Sequence, residues 1–443
     1  MRARRTISAA FVAGLLATAV PGPIHAHGGE SPRSCAWEAR LDPTALNALY
    51  PDEAANYWLL LLPAAPGATL TIHGLYAHAR YVSFTSYDAG VRAVDGLNDQ
   101  RIDPDPGSGN PFIAGAARDT IDDRRHYTVS VVFGQRPATA PDNVLFTTSA
   151  DGSRSSQVFF LAYRVFRPDG GLDIAGGEGL PSVTYNAPGG ASVTLPQCPL
   201  PVVPANGVNP AIADSGSASS TPLVQFPGTN PPTYHKFFNQ PTSTAQGATD
   251  NGYTGTTLGG VVTPYTMQLP HGGVLDNLDN AYVFAQLSHG YGNIAVIHAR
   301  LPTFPQTLGG EPVMGTGQLR YWSLCTNDGP SQRFYGCLAD DQVIVDEAGF
   351  YTVVVSTAAG RPANATAQCG VSWLPWGPSG ASLVIMRNML PRPNFTKSIQ
   401  AARFGHETED MGAFYPATTY LSTAAFEAQG CPGGDSQVRR GVA

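Results

Sequence analysis

The chain has 443 residues, among them 49 glycines and 38 prolines, and only 13% of residues are charged, with a formal net charge of −7. That much glycine and proline leaves few uninterrupted helical windows, which excludes a helical bundle. Lysine occurs only at Lys236 and Lys397, and no basic stripe exists. A nucleic-acid partner is therefore not expected, because phosphate binding needs clustered cations.

Residues 1–26 read as a secretory signal. Arg2, Arg4 and Arg5 form a basic leader, Ile7 to Val20 an apolar segment, and Ile24-His25-Ala26 a cleavage site. Arg4-Arg5 is a weak twin-arginine match, which leaves the export route open. No later apolar stretch is long enough to span a bilayer as a helix. A secreted or periplasmic protein with no transmembrane segment is expected. Cleavage after Ala26 would leave His27 at the amino terminus, where amine and imidazole together can bind copper; a flexible leader is the plainer reading.

A first lobe is expected over 27–198, with strand-like segments such as Ala68–His73, Tyr81–Tyr87, Tyr127–Phe133 and Val158–Phe166. These are short, rich in Val, Ile, Tyr, Phe and Thr, and several alternate with period two. Residues 199–232 have the Pro/Ser composition of a linker. A second lobe follows over 233–394, with a loop-rich addition up to Asn280 and strands at Tyr282–Leu287, Ile294–His298, Tyr351–Ser356 and Leu383–Met389. The tail, 395–443, carries two helix candidates, Ser398–Phe404 and Thr419–Gln429. The expected fold is all-β: two tandem antiparallel β-sandwich, jelly-roll-like lobes and a short helical C-terminal tail.

The lobes repeat one another. Arg80-Tyr81-Val82-Ser83-Phe84-Thr85-Ser86-Tyr87-Asp88 returns as Arg320-Tyr321-Trp322-Ser323-Leu324-Cys325-Thr326-Asn327-Asp328. Around it, Thr71-Ile72-His73-Gly74 matches Val296-Ile297-His298-Ala299, and Asn56-Tyr57-Trp58 loosely matches Asn280-Ala281-Tyr282. Downstream, Gly96–Gln100 pairs with Cys337–Asp341, Tyr127–Val131 with Tyr351–Val355, and Arg136-Pro137-Ala138 with Arg361-Pro362-Ala363. Preserved order over this length implies two homologous lobes.

Six cysteines in an exported chain imply disulfides, with 15 pairings open. Position favours Cys35 with Cys198, Cys325 with Cys337 and Cys369 with Cys431. No Cys-x-x-Cys occurs, so a thiolate zinc site is not expected.

Val371-Ser372-Trp373-Leu374-Pro375-Trp376-Gly377-Pro378, followed by Leu383-Val384-Ile385-Met386-Arg387, resembles a stretch of the domain-of-unknown-function 1214 family, also seen as 1214/1254-like. Ala79–Asp88, Asp151-Gly152-Ser153 and Tyr163-Arg164-Val165-Phe166-Arg167-Pro168 resemble further patches of it. The patches cover about two-thirds of the chain, but lobe one has no Trp-Leu-Pro and lobe two no clear Asp-Gly-Ser. The resemblance implies a β-sandwich-like exported protein and transfers no mechanism.

No nucleophile elbow, HExxH, P-loop or dinucleotide fingerprint is present. The duplicated Arg80 and Asp88, and Arg320 and Asp328, share a strand face and could clamp a polar ligand or pair within each lobe. His73 and His298 could share a metal or proton across a cleft, or sit bonded to their own strands. No cofactor is predicted, although those histidines leave room for a metal ion. Carboxylates open to acid–base work include Asp151, Asp276, Asp279, Glu311, Asp340, Asp341, Asp346 and Glu347. Trp373 and Trp376, flanking Pro375, could stack on a sugar or apolar ligand, or plug the sandwich end. The expected function is binding of a carbohydrate or small amphipathic ligand at this aromatic loop or an inter-lobe cleft. An extracellular carbohydrate-active hydrolase or lyase is the alternative, and a structural envelope protein the third reading.

Overall fold

The computed structural model describes residues 35–42, 47, 50–63, 65–88, 93–119, 124–155, 158–199, 228–237, 276–328, 333–431 and 439–440. The signal, His27, nearly all of the linker and most of the 233–280 addition lie outside the described residues.

Lobe one contains β1 (Ala39–Leu41), β2 (Ala55–Pro63), β3 (Thr69–Leu75), β4 (Ala79–Tyr87) and β5 (Ala93–Asn98). It continues with β6 (His126–Gln135), β7 (Val144–Thr148), β8 (Val158–Pro168), β9 (Ser182–Asn186) and β10 (Ser192–Leu195). These make a front sheet, β1-β2-β8-β4-β5, and a back sheet, β10-β9-β3-β6-β7. Lobe two contains β11 (His235–Phe237), β12 (Asn280–Ser288), β13 (Ile294–Arg300), β14 (Tyr321–Asn327) and β15 (Phe334–Ala339). Then come β16 (Ile344–Val345), β17 (Phe350–Ser356), β18 (Val371–Pro375), β19 (Ala381–Met389), β20 (Ala417–Leu421) and β21 (Arg439–Arg440). Its front sheet is β11-β12-β19-β14-β15, and its back sheet is β20-β13-β17-β16-β21 with β18 beside β17.

The two wirings coincide. β2-β8-β4-β5 corresponds to β12-β19-β14-β15, and β3-β6-β7 to β13-β17-β18, down to the parallel pairing of β7 and β18. Alternation drives both sandwiches: β6 buries every second residue, sending Tyr127, Val129 and Val131 inward. Trp58, Leu60, Ile72, Phe84 and Tyr163 fill the first core, and Val283, Ile297, Trp322, Leu324 and Val353 the second.

Register corrects one part of the sequence match. Tyr57 lies opposite Arg164, and Tyr282 opposite Arg387, in strands where Ser83 and Ser323 also oppose those arginines. Tyr57 therefore corresponds to Tyr282, one residue off the sequence alignment. A one-residue slip exchanges sheet faces, so Trp58 is a core residue and Tyr282 is not its counterpart.

Cys35–Cys198, Cys325–Cys337 and Cys369–Cys431 are all formed. Three disulfides fit an oxidising compartment. Among the described residues no helix is long and apolar enough to cross a membrane.

The tail holds two five-residue helices, α1 (Glu407–Met411) and α2 (Thr423–Glu427). Ser398–Phe404 is turns rather than a helix, because local side chains take its backbone groups: Asn388 Oδ1 accepts from Ile399 N at 3.0 Å and Ser398 Oγ from Ala401 N at 3.2 Å. Over Thr419–Gln429 the start is strand β20, which pairs with β13, and the helix begins only after Ser422 caps Ala425 N at 3.1 Å.

Candidate functional site

The front sheets face each other across the lobe junction. Its apolar centre is Ala55, Tyr81, Phe166, Tyr321, Ala339 and Met389, with Phe166 edge-on to both tyrosines at 5.5 and 5.6 Å. Around that centre the duplicated polar residues pair between lobes.

Arg80 of lobe one is fully buried and donates to Asp340 of lobe two at 2.8 Å and to Thr307 Oγ1 at 2.7 Å. Arg320 of lobe two donates to Asp99 of lobe one at 3.1 Å and to the Phe112 carbonyl at 3.0 Å. Each acid also accepts its own lobe's backbone: Asp99 from Val82 N at 2.8 Å, Asp340 from Trp322 N at 3.0 Å. Burial pushes both carboxyls up to about 6, against the pull of the facing guanidinium.

The arms entering β2 of lobe one and β12 of lobe two each cross to the other lobe. Asp52 and Asn277 occupy matching turns, each side-chain oxygen accepting a backbone N–H two residues on at 3.0 Å. The Tyr321 hydroxyl donates to Asp52 at 2.9 Å, and the Tyr81 hydroxyl to Asn277 at 3.2 Å. Arg387 donates to the Tyr50 carbonyl at 2.7 Å, while Arg164 reaches the Asp276 carbonyl at 3.4 Å as well as Thr85 and Tyr87. The reciprocity is that of a pseudo-twofold axis between the lobes.

Symmetry fails at Asp279, whose counterpart is Ala54. Both residues give a carbonyl to the matching backbone N–H, of Leu390 and Arg167. Half-buried Asp279 accepts from the Tyr81 hydroxyl at 2.7 Å and from Asn98 Nδ2 at 2.8 Å. Asn98 and Asn277 are themselves 6% and 3% exposed, and Asn98 Oδ1 and Asn277 Nδ2 have no protein partner. Beside them, Leu278 is exposed and lies over Gly96, where an added Cβ would come within 2.9 Å of its methyl group. A carboxylate, a phenol and two carboxamides with spare hydrogen-bonding atoms therefore converge on the lobe-one side of the seam. On the opposite side Asp340 and Asp341 are matched by Arg80 and Arg167, the latter bidentate to Asp341 at 2.6 and 2.9 Å.

The other sequence candidates lie apart from this cluster. Arg80 and Asp88 do share a face, but eight residues of strand hold them about 26 Å apart, so neither a clamp nor an intra-lobe pair forms. Asp88 is buried just past the end of β4, and Asp328 closes the β14–β15 hairpin by donating its N–H to the Arg333 carbonyl at 2.8 Å. His73 and His298 are exposed on the back sheets of different lobes, each beside its cross-strand threonine at 3.2 Å, so they do not face one another. Trp376 is fully buried and stacks on His289 at 4.0 Å. Trp373 bonds Ser356 Oγ at 2.9 Å and carries Arg361 over its ring at 4.8 Å. Residues 371–375 form a strand, not an open loop, so Trp376 is enclosed while half-buried Trp373 keeps part of its ring at the surface.

Among the described residues the one group of three metal-type ligands is Asp52 with Cys325 and Cys337, whose sulfurs are already a disulfide. Sequence reading did not single out Asn98, Asn277 or Tyr81 as a set. Asp279 was one carboxylate among eight, and only the cross-lobe fold joins it to the others.

No protein-family model matches the chain, and no curated protein matches it. Among solved structures it is similar to an uncharacterized protein from Burkholderia cenocepacia at 13% identity and a TM-score of 0.46, covering 89% of this chain and 84% of that one. It is also similar to the VPA0106 protein of Vibrio parahaemolyticus at 12% identity and a TM-score of 0.40, covering 85% and 92%. Neither likeness is close enough to carry an argument about function.

Proposed function

We propose that this is an exported binding protein, related to the 1214/1254-like family, that takes a carbohydrate or similar polyol at the seam between its lobes. The observation carrying this reading is half-buried Asp279 beside exposed Leu278, with the unpartnered carboxamide atoms of Asn98 and Asn277 enclosed behind it. Buried polar atoms without partners are costly unless a ligand or water completes them. Vicinal hydroxyls can donate to the half-buried Asp279 carboxylate, a water can complete the enclosed carboxamide atoms behind it, and Leu278 offers an apolar edge to a ring.

Binding ranks ahead of hydrolysis because of Asp99. Its carboxyl, raised to about 6 by burial, has the acidity of a general acid, yet it is fully buried with both oxygens already engaged by Val82 N and Arg320. A proton donor must reach the substrate, and this one does not.

The test is a thermal-shift screen of the intact secreted protein against mono- and oligosaccharides, with Asp279→Ala alongside. A sugar at a hundredfold excess over its Kd should add about 2.7 kcal/mol of stability to the wild type. The shift should vanish in Asp279→Ala. Sugars that shift both proteins alike would move the site elsewhere, and silence across the screen would sink the reading.

A further inference from the structure

The geometry points to a divalent-metal site on the outer face of lobe one, built from His73 and His126, for an ion of the zinc class. His73 on β3 lies directly opposite Thr128 on β6, and His126 is the same-face diagonal neighbour two residues along. The two rings are stacked nearly parallel, 11° apart, with centroids at 5.3 Å.

Each ring is oriented with one nitrogen inward. His73 Nδ1 faces Thr128 Oγ1 at 3.2 Å and Asp105 Oδ2 at 3.4 Å, and Thr128 itself donates to that carboxylate at 3.0 Å. A carboxylate on Nδ1 is the arrangement that turns Nε2 toward a metal and raises its basicity. His126 is half-buried with Nδ1 enclosed and unpartnered, so its accessible edge carries Nε2. The loop is pinned in place, since Asp105 N donates to the His126 carbonyl at 2.9 Å and His126 N to Ser108 Oγ at 3.1 Å. Binding one ion would place a nitrogen of each ring about 2.0–2.1 Å from it, with His126 turning about its side-chain torsions toward His73, which Asp105 holds. Water would fill the remaining positions. Imidazole donors suit zinc, copper and nickel rather than calcium or magnesium.

Lobe two supplies an internal control. His298 repeats the 3.2 Å contact with Thr352 and the 5.3 Å stack, but its partner ring is Phe350, at the position equivalent to His126. That lobe offers one nitrogen and cannot chelate.

The experiment is calorimetric titration of zinc chloride into tag-free, intact protein. One saturable event is expected in the wild type and in His298→Ala, and none at that position in His73→Ala or His126→Phe. Asp105→Asn should weaken it by about tenfold. Phe350→His should add a second event. The substituted side chains are exposed or half-buried on the outer sheet faces and the adjoining loop, and an unchanged melting temperature without zinc would confirm folding. Equal zinc binding by wild type and His126→Phe, or no saturable event in the wild type, would overturn the assignment.

Discussion

An Arg80→Ala variant is expected to lose about 3–5 kcal/mol of stability, the consequence of leaving one member of a buried ion pair without its partner. Arg80 has no exposed surface, sits over the Phe304 ring at 5.1 Å and bonds Thr307, Asp340 and Asp341, all from lobe two. Removing it strands the Asp340 carboxylate in the seam. That carboxyl is already raised to about 6 by burial, with Arg80 as the main opposing influence, so it rises further in the variant. The sign follows from linkage: a folded-state acid raised above its unfolded value binds more protons than the unfolded chain, so stability falls as pH rises through the interval. The variant's deficit should therefore be largest above pH ~7 and shrink toward pH ~5, as the stranded carboxyl takes up a proton. Arg80→Met combined with Asp340→Asn removes both charges while keeping an oxygen for Trp322 N, and should recover much of the loss. Arg320→Ala should behave in parallel through Asp99. Urea unfolding at the two pH values measures all three variants against the wild type. A loss under about 1 kcal/mol, the range of exposed pairs, would mean the pair is not desolvated.

The second large effect concerns the disulfides. Cross-link stabilisation grows with the chain it closes, and the separations are 163, 62 and 12 residues for Cys35–Cys198, Cys369–Cys431 and Cys325–Cys337. Chain entropy then predicts losses of about 5, 4 and 3 kcal/mol on replacing each pair by serine. Cys35–Cys198 closes almost the whole of lobe one, so its loss should release that lobe first. Cys325–Cys337 bridges adjacent strands of the lobe-two front sheet and receives Arg387 at 3.0 Å, so serine there also disturbs the seam. Denaturation midpoints of the three double-serine variants test the order. A Cys325–Cys337 variant less stable than the Cys35–Cys198 one would show that native contacts, not chain entropy, dominate.

The all-β character and the duplication were legible because both are local. Alternation in Tyr127–Phe133 fixes a half-buried strand, and the Arg-Tyr strand repeats without gaps. Disulfide pairing was legible from position. What a repeat cannot reveal is whether a duplicated residue contacts its own lobe or the other. Arg80 and Asp340 belong to opposite lobes, and nothing in either copy separates that pairing from Arg80 with its own lobe's Asp99. The offset at Tyr57 and Tyr282 went unseen because Asn56 and Asn280 offered a false anchor one residue away. Arg164 and Arg387 appeared in family-like patches but were not matched to each other, since their flanks differ. Asp279, Asn98 and Asn277 are non-repeating and far apart in the chain, so only the crossed arms reveal them as neighbours.

The most direct measurement on the seam is to place a protease site within 200–227, cleave the intact oxidised protein and run it on a sizing column. No disulfide joins the lobes, because Cys35–Cys198 lies within the first and the other two within the second. The crossed arms, the reciprocal Arg–Asp pairs, the small aromatic centre and the backbone pairing of 115–118 with 312–314, which seats Met314 in the lobe-one core, would hold the halves together. They should elute as one particle of unchanged size, separating only in denaturant. Halves that elute apart in native buffer would contradict the account of a seam that binds the two lobes into one unit.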